Sequence, residues 1–178
     1  ATSDVQIVDA NEDVIIRVQD DQYTIGQTSS TDSAIQGRVA IKNRQLVKTT
    51  NTDGNADGDI VYFGSTTSMT KGKIYYYNSS GNWALADADA ESTASGLLGV
   101  ALGAASNTNG VLLRGMVTLA NDAGNVGQTV FLSTTAGAGQ ASAPTGNGDI
   151  ARVIGYCLDS THGQIYFNPD GTFVEVSA

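Results

Sequence analysis

Two stretches in the second half of the chain repeat one order of glycines, apolar residues and turn residues. Repeat 1 and repeat 2 share four blocks: Gly72–Asn78 with Gly127–Ser133, Leu98–Leu102 with Ile154–Leu158, Asn107–Gly110 with Ser160–Gly163, and Val111–Leu113 with Gln164–Phe167. The offset is 55 or 56 residues in the first two blocks and 53 residues at the turn. Small loop insertions between fixed strands produce such a drift. The pattern therefore predicts two related units, at about residues 72–113 and 127–167.

The apolar runs are short, rich in Val, Ile, Leu, Tyr and Phe, and bounded by turn residues, which is typical of β-strands. Only 2 of the 178 residues are Pro, which argues against a disordered linker protein. We predict strands at Val5–Val8, Val14–Val18, Tyr23–Ile25, Arg38–Ile41, Gln45–Val47, Ile60–Phe63, Lys73–Tyr77, Trp83–Leu85, Leu97–Leu102, Val111–Leu113, Met116–Leu119, Thr129–Leu132, Arg152–Leu158, Gln164–Phe167 and Thr172–Val176. The sequence thus predicts an all-β protein with a β-barrel or β-sandwich body.

Local signals add two expectations about turns and one about a helix. Lys42–Arg44 and Asn109–Gly110 stand where tight hairpin turns belong, and Asn-Gly suits a type I′ turn because both residues tolerate positive φ. The Ala-rich segment Ala84–Ser95 carries acidic residues at a period of two, which favours a loop or an exposed edge over a helix. A short helix there is the alternative.

The chain divides where a run of Asn, Asp and Gly interrupts the apolar pattern, at about residues 50–59. Residues 1–57 contain short strand candidates, many charges and few aromatic residues, too little apolar mass for an independent core. We predict that they form a strand-rich N-terminal arm that docks on other chains. Residues 58–178 contain both repeats and form the predicted compact β-domain.

The charge of the chain limits its partners. It has 18 acidic and 9 basic residues, a net charge of -9 at pH 7. Because such a surface repels phosphate backbones, we do not expect nucleic acid as a main partner. No apolar run reaches the length of a membrane span, about 18 residues, so no membrane partner is expected. The N-terminal residues lack the basic and apolar regions of a signal peptide, so we expect synthesis in the cytoplasm without one.

The only histidine and the only cysteine have structural interpretations. His162, with Asp159 and Ser160 nearby, resembles part of a nucleophilic triad. The repeat, however, aligns His162 with Asn109, and each directly precedes a glycine in a turn. Cys157 aligns with Ala101 inside an apolar run, which indicates a small buried residue. Since no acid–base pair stands out, the sequence predicts no catalytic residues, and we expect a protein that is not an enzyme.

One acidic segment resembles the first half of a calcium-binding loop. Oxygen ligands stand there at alternate positions, at Asp53, Asn55, Asp57 and Asp59. The position where such a loop has a bidentate Glu is occupied by Gly64. A polar loop between strands is therefore the alternative. Calcium is the one cofactor that the sequence offers, and no other is expected.

Two groups of residues are candidates for partner contacts. The densest aromatic cluster contains Tyr75, Tyr76, Tyr77 and Trp83, and an exposed tyrosine face there would contact a glycan or a protein. The matching residues of repeat 2 are apolar, which favours core packing for much of this cluster. Basic residues concentrate in the first half of the chain and are available for docking: Arg17, Arg38, Lys42, Arg44 and Lys48.

Several blocks of the second half resemble a known family of proteins. They are Leu98–Leu102, Val111–Leu119, Gly127–Gly137, Arg152–Asp159 and Ile165–Val176. Their order resembles small β-domains of tailed-bacteriophage virions, which occur in head decoration proteins and at fibre tips. The resemblance covers residues 58–178 well and residues 1–50 weakly. It implies a structural role on the exterior of the particle, often as a homotrimer, and brings no catalytic residues.

These observations lead to one expected function and one alternative. We expect a capsid decoration or cement protein on the outer surface of a phage virion, which acts through multivalent contacts with its own copies and with the major capsid protein. The alternative is a tail or head fibre domain, in contact with fibre subunits, that binds a glycan or a protein on the host cell surface.

Overall fold

The computed structural model describes residues 5–8, 14–19, 22–25 and 45–177, the first three ranges as backbone only. Residues 1–44 and 45–178 form two separate compact units, here called the N-terminal unit and the body. In the N-terminal unit β1 (Val5–Val8), β2 (Val14–Gln19) and β3 (Gln22–Ile25) form an antiparallel sheet in the order β1-β2-β3. These strands confirm three predictions. The strand at 38–41 and the turn at 42–44 lie outside the described residues.

The body is built on one nine-stranded antiparallel sheet, curved as a half-barrel. Its strands are β4 (Ala56–Val61), β5 (Ile74–Tyr77), β6 (Trp83–Leu85), β7 (Leu98–Ala101), β8 (Val111–Thr118), β9 (Thr129–Leu132), β10 (Gly139–Gln140), β12 (Val153–Asp159) and β13 (Gln164–Phe167). The order is β10-β9-β12-β13-β8-β7-β5-β6, and β4 pairs with β8. A second, small sheet pairs β11 (Ile150–Ala151) with β14 (Val174–Glu175). The predicted all-β class is confirmed.

The sequence repeat corresponds to a repeat in the sheet. Repeat 1 has the strand order β6-β5-β7-β8, and repeat 2 has the equivalent order β10-β9-β12-β13. The register agrees at the first equivalent pair, since Tyr75 lies opposite Gly99 and Val130 lies opposite Gly155. Strands β8 and β13 pair with each other and join the two repeats. The repeat is therefore one four-stranded plan used twice.

Backbone hydrogen bonds also connect the segments that follow the outermost hairpins. Gly137 donates its N–H to the carbonyl of Ala86 (2.7 Å), and its own carbonyl accepts the N–H of Ile74 (2.9 Å). Ala88 donates to the carbonyl of Ser133 (3.0 Å). The region after β6 in repeat 1 is thus bonded to the region after β9 in repeat 2, at the opposite end of the sheet.

Both repeats contribute to a single apolar core. Its largest buried side chains include Ile74, Leu98, Val100 and Leu112 from repeat 1, and Leu132, Ile154, Ile165 and Phe167 from repeat 2. Burial of each such side chain contributes about 1.5–3 kcal/mol. The backbones of β12 and β13 approach closely at Gly155, where a Cβ would lie 2.0 Å from the carbonyl oxygen of Tyr166. A side chain at this position would push β12 away from β13.

Buried polar side chains fasten the loops to this sheet. Arg152 donates hydrogen bonds to the carbonyls of Ala94, Gly96 (2.7 Å) and Asp170 (3.1 Å from Nε). Burial lowers the pKa of this guanidinium, although the nearby Asp170 carboxylate opposes the shift. Its hydrogen-bond partners among the described residues are all loop carbonyls, so the arginine holds these loops in place.

Gln164 and Thr118 fasten the first residues of the body in the same way. Gln164 Nε2 donates to the carbonyl of Thr49 (2.9 Å) and to Asn51 Oδ1 (2.7 Å). Thr118 Oγ1 donates to the carbonyl of Thr50 (2.6 Å). These bonds hold residues 45–57 on the sheet, and the boundary between the two units accordingly lies at residue 44, earlier in the chain than the boundary at residue 57 that composition suggested.

Several local predictions differ from the structure. Residues 45–47 form no strand, and the segments 111–113 and 116–119 belong largely to one continuous strand, β8. The alternative of a short helix near residues 84–95 is realised as α1 (Glu91–Ala94). The Asn109–Gly110 hairpin is wrong, because Asn109 ends the single-turn helix α2 (Ser106–Asn109) and only Gly110 has the positive φ, 84°. Among the described residues no helix has the length and apolarity to cross a membrane.

Candidate partner-binding surfaces

The predicted aromatic cluster forms where the β5–β6 hairpin meets the end of β4. Tyr77 and Trp83 lie opposite each other in the hairpin, and Phe63 follows β4. The Phe63 ring stacks on Trp83 at a centroid distance of 5.5 Å and meets Tyr77 edge-on at 4.9 Å. Tyr77 and Trp83 are 5.1 Å apart. Such pairs contribute about 0.5–1.5 kcal/mol each beyond the burial of area, so the cluster is a rigid unit.

Burial divides the aromatic residues of this region into two groups. Tyr75 and Trp83 are buried, and both polar atoms have partners: the Tyr75 hydroxyl accepts the N–H of Thr70 (2.7 Å), and Trp83 Nε1 donates to the carbonyl of Phe63 (3.0 Å). Neither side chain is available to a partner, so the prediction that they make contacts is replaced by a structural role. The accessible rings are Tyr62 (60% exposed), Phe63 (37%) and the half-buried Tyr77.

Polar but uncharged side chains lie in the hairpin loop next to Tyr77 and Trp83 and in the segment after Phe63. Ser65 Oγ donates to Asn82 Oδ1 (2.6 Å), and Asn78 Oδ1 accepts the N–H groups of Ser80 (3.0 Å) and Asn82 (3.1 Å). Thr66 Oγ1 accepts the N–H of Trp83 (2.8 Å). These bonds fix the hairpin loop beside the aromatic cluster. We call Phe63, Tyr77, Ser65 and Asn82 the aromatic rim.

The aromatic rim is built from segments without charged residues. Residues 60–70, 74–86 and 92–113 contain no Asp, Glu, Lys or Arg, in a chain with 27 of them. Contacts bring the three segments together: besides the Trp83 bonds, Ser106 donates its N–H to the carbonyl of Thr66 (2.9 Å). A Cβ built at Gly110 would lie 3.1 Å from the Tyr62 ring. The absence of charge is a sequence signal that could have led to Tyr62 and Phe63, which the sequence analysis missed.

A second surface, also missed, lies on the outward side of the sheet. Tyr156 of β12 pairs with Tyr166 of β13, which pairs with Met116 of β8. Next to them Val153 pairs with Phe131 of β9. Tyr156 is 48% exposed and Val153 37%, and the other three are partly buried. We call these five residues the tyrosine face.

A register shift in β12 produces this exposure. Between Val153 and Gly155 the pairing with β9 is irregular, so that Val153 and Tyr156 are both exposed although they are three residues apart. Strict alternation would place them on opposite sides of the sheet. At the edge of the tyrosine face Arg114 Nε donates to the Tyr166 hydroxyl (3.2 Å), a bond that raises the pKa of Arg114. Asp59 lies opposite Arg114 in the strand register.

His162 belongs to a hydrogen-bonded turn. Asp159 Oδ1 accepts the backbone N–H (2.9 Å) and hydroxyl (2.8 Å) of Thr161 and lies 3.3 Å from His162 Nδ1. The bonds from Thr161 are the main reason why the pKa of the Asp159 carboxyl lies well below its usual range. Gly163, which follows His162, has a φ of 63°. Lys48, one of the predicted docking residues, lies 3.4 Å from the other oxygen of Asp159.

Cys157 is buried, as its alignment with Ala101 predicted. Its Sγ lies 3.4 Å from the carbonyl oxygen of Gly124, and burial raises the pKa of the thiol. Because the thiolate is the reactive form, this residue is a packing element of the core. Arg17 lies in β2, and Arg38, Lys42 and Arg44 lie outside the described residues, so their docking role stays a prediction.

The candidate calcium ligands are spread over a turn and a strand. Asp53 lies in a turn before β4, whereas Asp57 and Asp59 lie within β4. Asp57 Oδ2 accepts the backbone N–H of Val47 (2.7 Å), and Asn55 Nδ2 donates to the Thr50 hydroxyl. In the part of the chain that the structure describes, no group of three His, Cys, Asp or Glu side chains is placed to hold a metal. The polar loop and strand start is the interpretation that these contacts favour.

No family model, curated protein or solved structure matches this chain. The case for the two surfaces as binding sites therefore rests on their geometry alone.

Proposed function

We propose that this chain is a non-enzymatic structural protein on the exterior of a phage virion, a capsid decoration or cement protein. In this proposal the body forms a homo-oligomer, a trimer by the family resemblance, and the tyrosine face packs on a neighbouring copy. The N-terminal unit, with its basic residues, docks on the capsid. The proposed architecture of the body is a barrel, in which the hydrogen bonds between residues 74–88 and 133–137 complete the sheet.

The composition of the tyrosine face is the observation that carries this proposal. Tyr, Phe and Met, with Arg114 at the edge, are the residue types enriched in the cores of protein–protein interfaces. The face lies on hydrogen-bonded strands, so that little conformational entropy is lost when it packs against a partner. Weak contacts of this kind add up when many copies sit on one particle.

Two further features support a structural role. The buried polar side chains Arg152 and Gln164 are used to hold loops, which gives the body a rigid surface. The net charge of -9 favours solubility of particles that carry many copies.

The test uses the whole chain and one exposed tyrosine. Sedimentation equilibrium of the wild type should give an oligomer, and Tyr156→Ala should shift the equilibrium to the monomer by at least about tenfold in Kd. Tyr62→Ala, which removes an exposed tyrosine from outside the tyrosine face, is the matched control and should not change the mass. A monomeric wild type, or an oligomer that Tyr156→Ala leaves intact, would overturn the role of the tyrosine face.

A second candidate function is host recognition by a tail or head fibre domain, and the aromatic rim supports it. Exposed rings held by a rigid cluster are suited to binding at a cell surface. The two functions differ in location. Antibodies against the body that label DNA-filled heads without tails support decoration. Labelling of fibres alone, with inhibition of phage adsorption by the free protein, supports host recognition.

A further inference from the structure

We infer that the cleft beside Arg152 is a binding site for a small apolar zwitterion, an amino acid or a dipeptide with apolar side chains. The cleft has a volume of about 440 Å³ and lies between residues 95–98 and residues 169–171, with Arg152 among its lining residues. This volume is near the lower end of the range for small-molecule sites, about 300–1,000 Å³. The inference goes beyond the proposed structural role and depends on neither of the two surfaces described above.

Arg152 ties the two walls of the cleft together. Its guanidinium donates to the carbonyl of Gly96 in one wall (2.7 Å) and to the carbonyl of Asp170 in the other (3.1 Å from Nε). The side chain is 4% exposed, so the walls are joined by a buried group. Because they are ordered before a ligand arrives, binding loses little conformational entropy.

One donor of this guanidinium is left for a ligand. Arginine has five N–H groups. Nε and one N–H of Nη2 share the carbonyl of Asp170, and Nη1 donates to the carbonyls of Ala94 and Gly96. The second N–H of Nη2 has no acceptor among the described residues. A ligand carboxylate is the acceptor that suits it best, because charge-assisted hydrogen bonds are roughly twice as strong as neutral ones.

Asp170 supplies a negative charge in the same cleft. Its Oδ1 accepts the N–H of Thr172 (2.7 Å), whereas Oδ2 accepts no hydrogen bond from the described residues. The carboxylate lies close enough to act on Arg152, since burial lowers the pKa of the guanidinium and Asp170 opposes this shift. An ammonium group of the ligand therefore finds a carboxylate beside the N–H that binds the ligand's own carboxylate.

Apolar side chains supply the rest of the site. Leu97 is 46% exposed, and the partly buried Leu113 and Pro169 line the same cleft. An apolar ligand side chain that packs here removes its own surface and that of Leu97 from water, which stabilises the complex in proportion to the area covered.

The two charges of the cleft select the class of ligand. A simple carboxylate would be repelled by Asp170 and by the net charge of the chain, -9. A simple amine would be attracted by Asp170 but would leave the N–H of Arg152 unused and meet its positive charge. A zwitterion satisfies both groups and carries no net charge.

The test is a calorimetric titration of the full chain. The ligands are leucine, methionine, phenylalanine and the dipeptide leucyl-leucine, so that a free amino acid is distinguished from a peptide. We expect saturable binding of at least one of them, with a Kd on the order of 1 mM or below. Three compounds should bind at least about tenfold more weakly: N-acetylleucine, which lacks the ammonium group, leucinamide, which lacks the carboxylate, and serine, which lacks the apolar side chain.

Two variants link the binding to the cleft. Asp170→Asn keeps an oxygen for the N–H of Thr172 and removes the charge. It should weaken leucine binding at least about tenfold and should not weaken the binding of N-acetylleucine. Leu97→Ser leaves both charges in place and should weaken both ligands, with Tm unchanged because the side chain is half exposed. Asp122→Asn removes an exposed carboxylate outside the cleft and is the matched control, which should bind like the wild type.

Three results would overturn the inference. The first is that no apolar zwitterion saturates by about 10 mM. The second is that N-acetylleucinamide, which has neither charge, binds as tightly as leucine. The third is that Asp170→Asn or Leu97→Ser binds leucine like the wild type. Calorimetry reports binding in the cleft alone, so failure here leaves the mass measurement on Tyr156→Ala and the labelling of particles unaffected.

Discussion

Replacement of Arg152 by Met tests whether loop carbonyls are clamped by a buried arginine. The side chain is 4% exposed, and its guanidinium donates to three carbonyls, those of Ala94, Gly96 and Asp170. Met keeps the apolar stem and removes every donor. Each buried carbonyl that loses its partner costs about 1–3 kcal/mol.

The local surroundings place the expected loss of unfolding free energy near the lower limit of this range. Arg152, Gly96 and Asp170 line a cleft of about 440 Å³, so water can reach the carbonyls of Gly96 and Asp170 after the substitution. At about 1 kcal/mol for each of the three carbonyls, Arg152→Met should lower the free energy of unfolding by about 3 kcal/mol. At about 3 °C per kcal/mol for a chain of this size, Tm should fall by about 10 °C.

Urea denaturation followed by the fluorescence of Trp83 gives this free energy directly. Lys71→Met is the control, because it removes an exposed cation from outside the tyrosine face and should leave Tm nearly unchanged. Arg152→Lys should remain well below the wild type in stability, since one ammonium group does not span three carbonyls. A loss below about 1 kcal/mol for Arg152→Met would refute the clamp and assign the loops to apolar packing.

Three further predictions concern single residues of the body. Gly115 has a φ of 144°, and a Cβ there would lie 2.3 Å from the carbonyl oxygen of Asp57. Gly115→Ala should therefore lower the free energy of unfolding, measured by urea titration, by at least about 3 kcal/mol. Gly127→Ala, with open space around the residue, should lower it by about 1 kcal/mol. Cys157 should resist a thiol reagent in the folded protein and react once urea unfolds the chain; rapid labelling without urea would contradict its burial. The pKa of Asp159 is lower in the folded state than in the unfolded state, so its carboxylate stabilises the fold above about pH 4 and this contribution is lost as the pH falls further. Asp159→Asn should accordingly lower Tm at pH 7, and the difference from the wild type should narrow below pH 4; a constant difference between pH 7 and pH 3 would show that charge is not involved.

The pattern of the repeat was sufficient to predict the strands and their equivalence. Alternation and turn residues are local properties, and the two halves carried the same order of Gly and apolar blocks, which the structure realises as the same strand order. Burial of Cys157 followed from its alignment with Ala101. Errors arose where a local signal competes with packing: Asn109–Gly110 is a good hairpin turn in isolation, but the chain forms one helical turn there.

The surfaces could not be read from the sequence in the same way. Tyr75 and Trp83 have the composition of a contact site, yet they are buried, because the hairpin folds back on Phe63 and on Thr70. Tyr156 and Val153 lie in an apolar run that the sequence predicts as a strand, but the sequence does not show that an irregularity in the pairing of β12 leaves both exposed. In each case the exposure of the side chain was set by packing against residues that are distant in the chain, and the side-chain type alone did not reveal it.

The sequence by itself determined that this protein is all-β, that its second half uses one strand plan twice, and that its only histidine and cysteine stand in a turn and in a strand. These properties depend on the period of side chains along a strand and on the few residues that a turn accepts, both of which are encoded locally. The tertiary structure alone decided which aromatic rings are exposed and that residues 45–57 belong to the body. The physical reason is that exposure depends on what packs against a strand, and strands β4, β8, β12 and β13 are brought together by pairing between segments far apart in the chain.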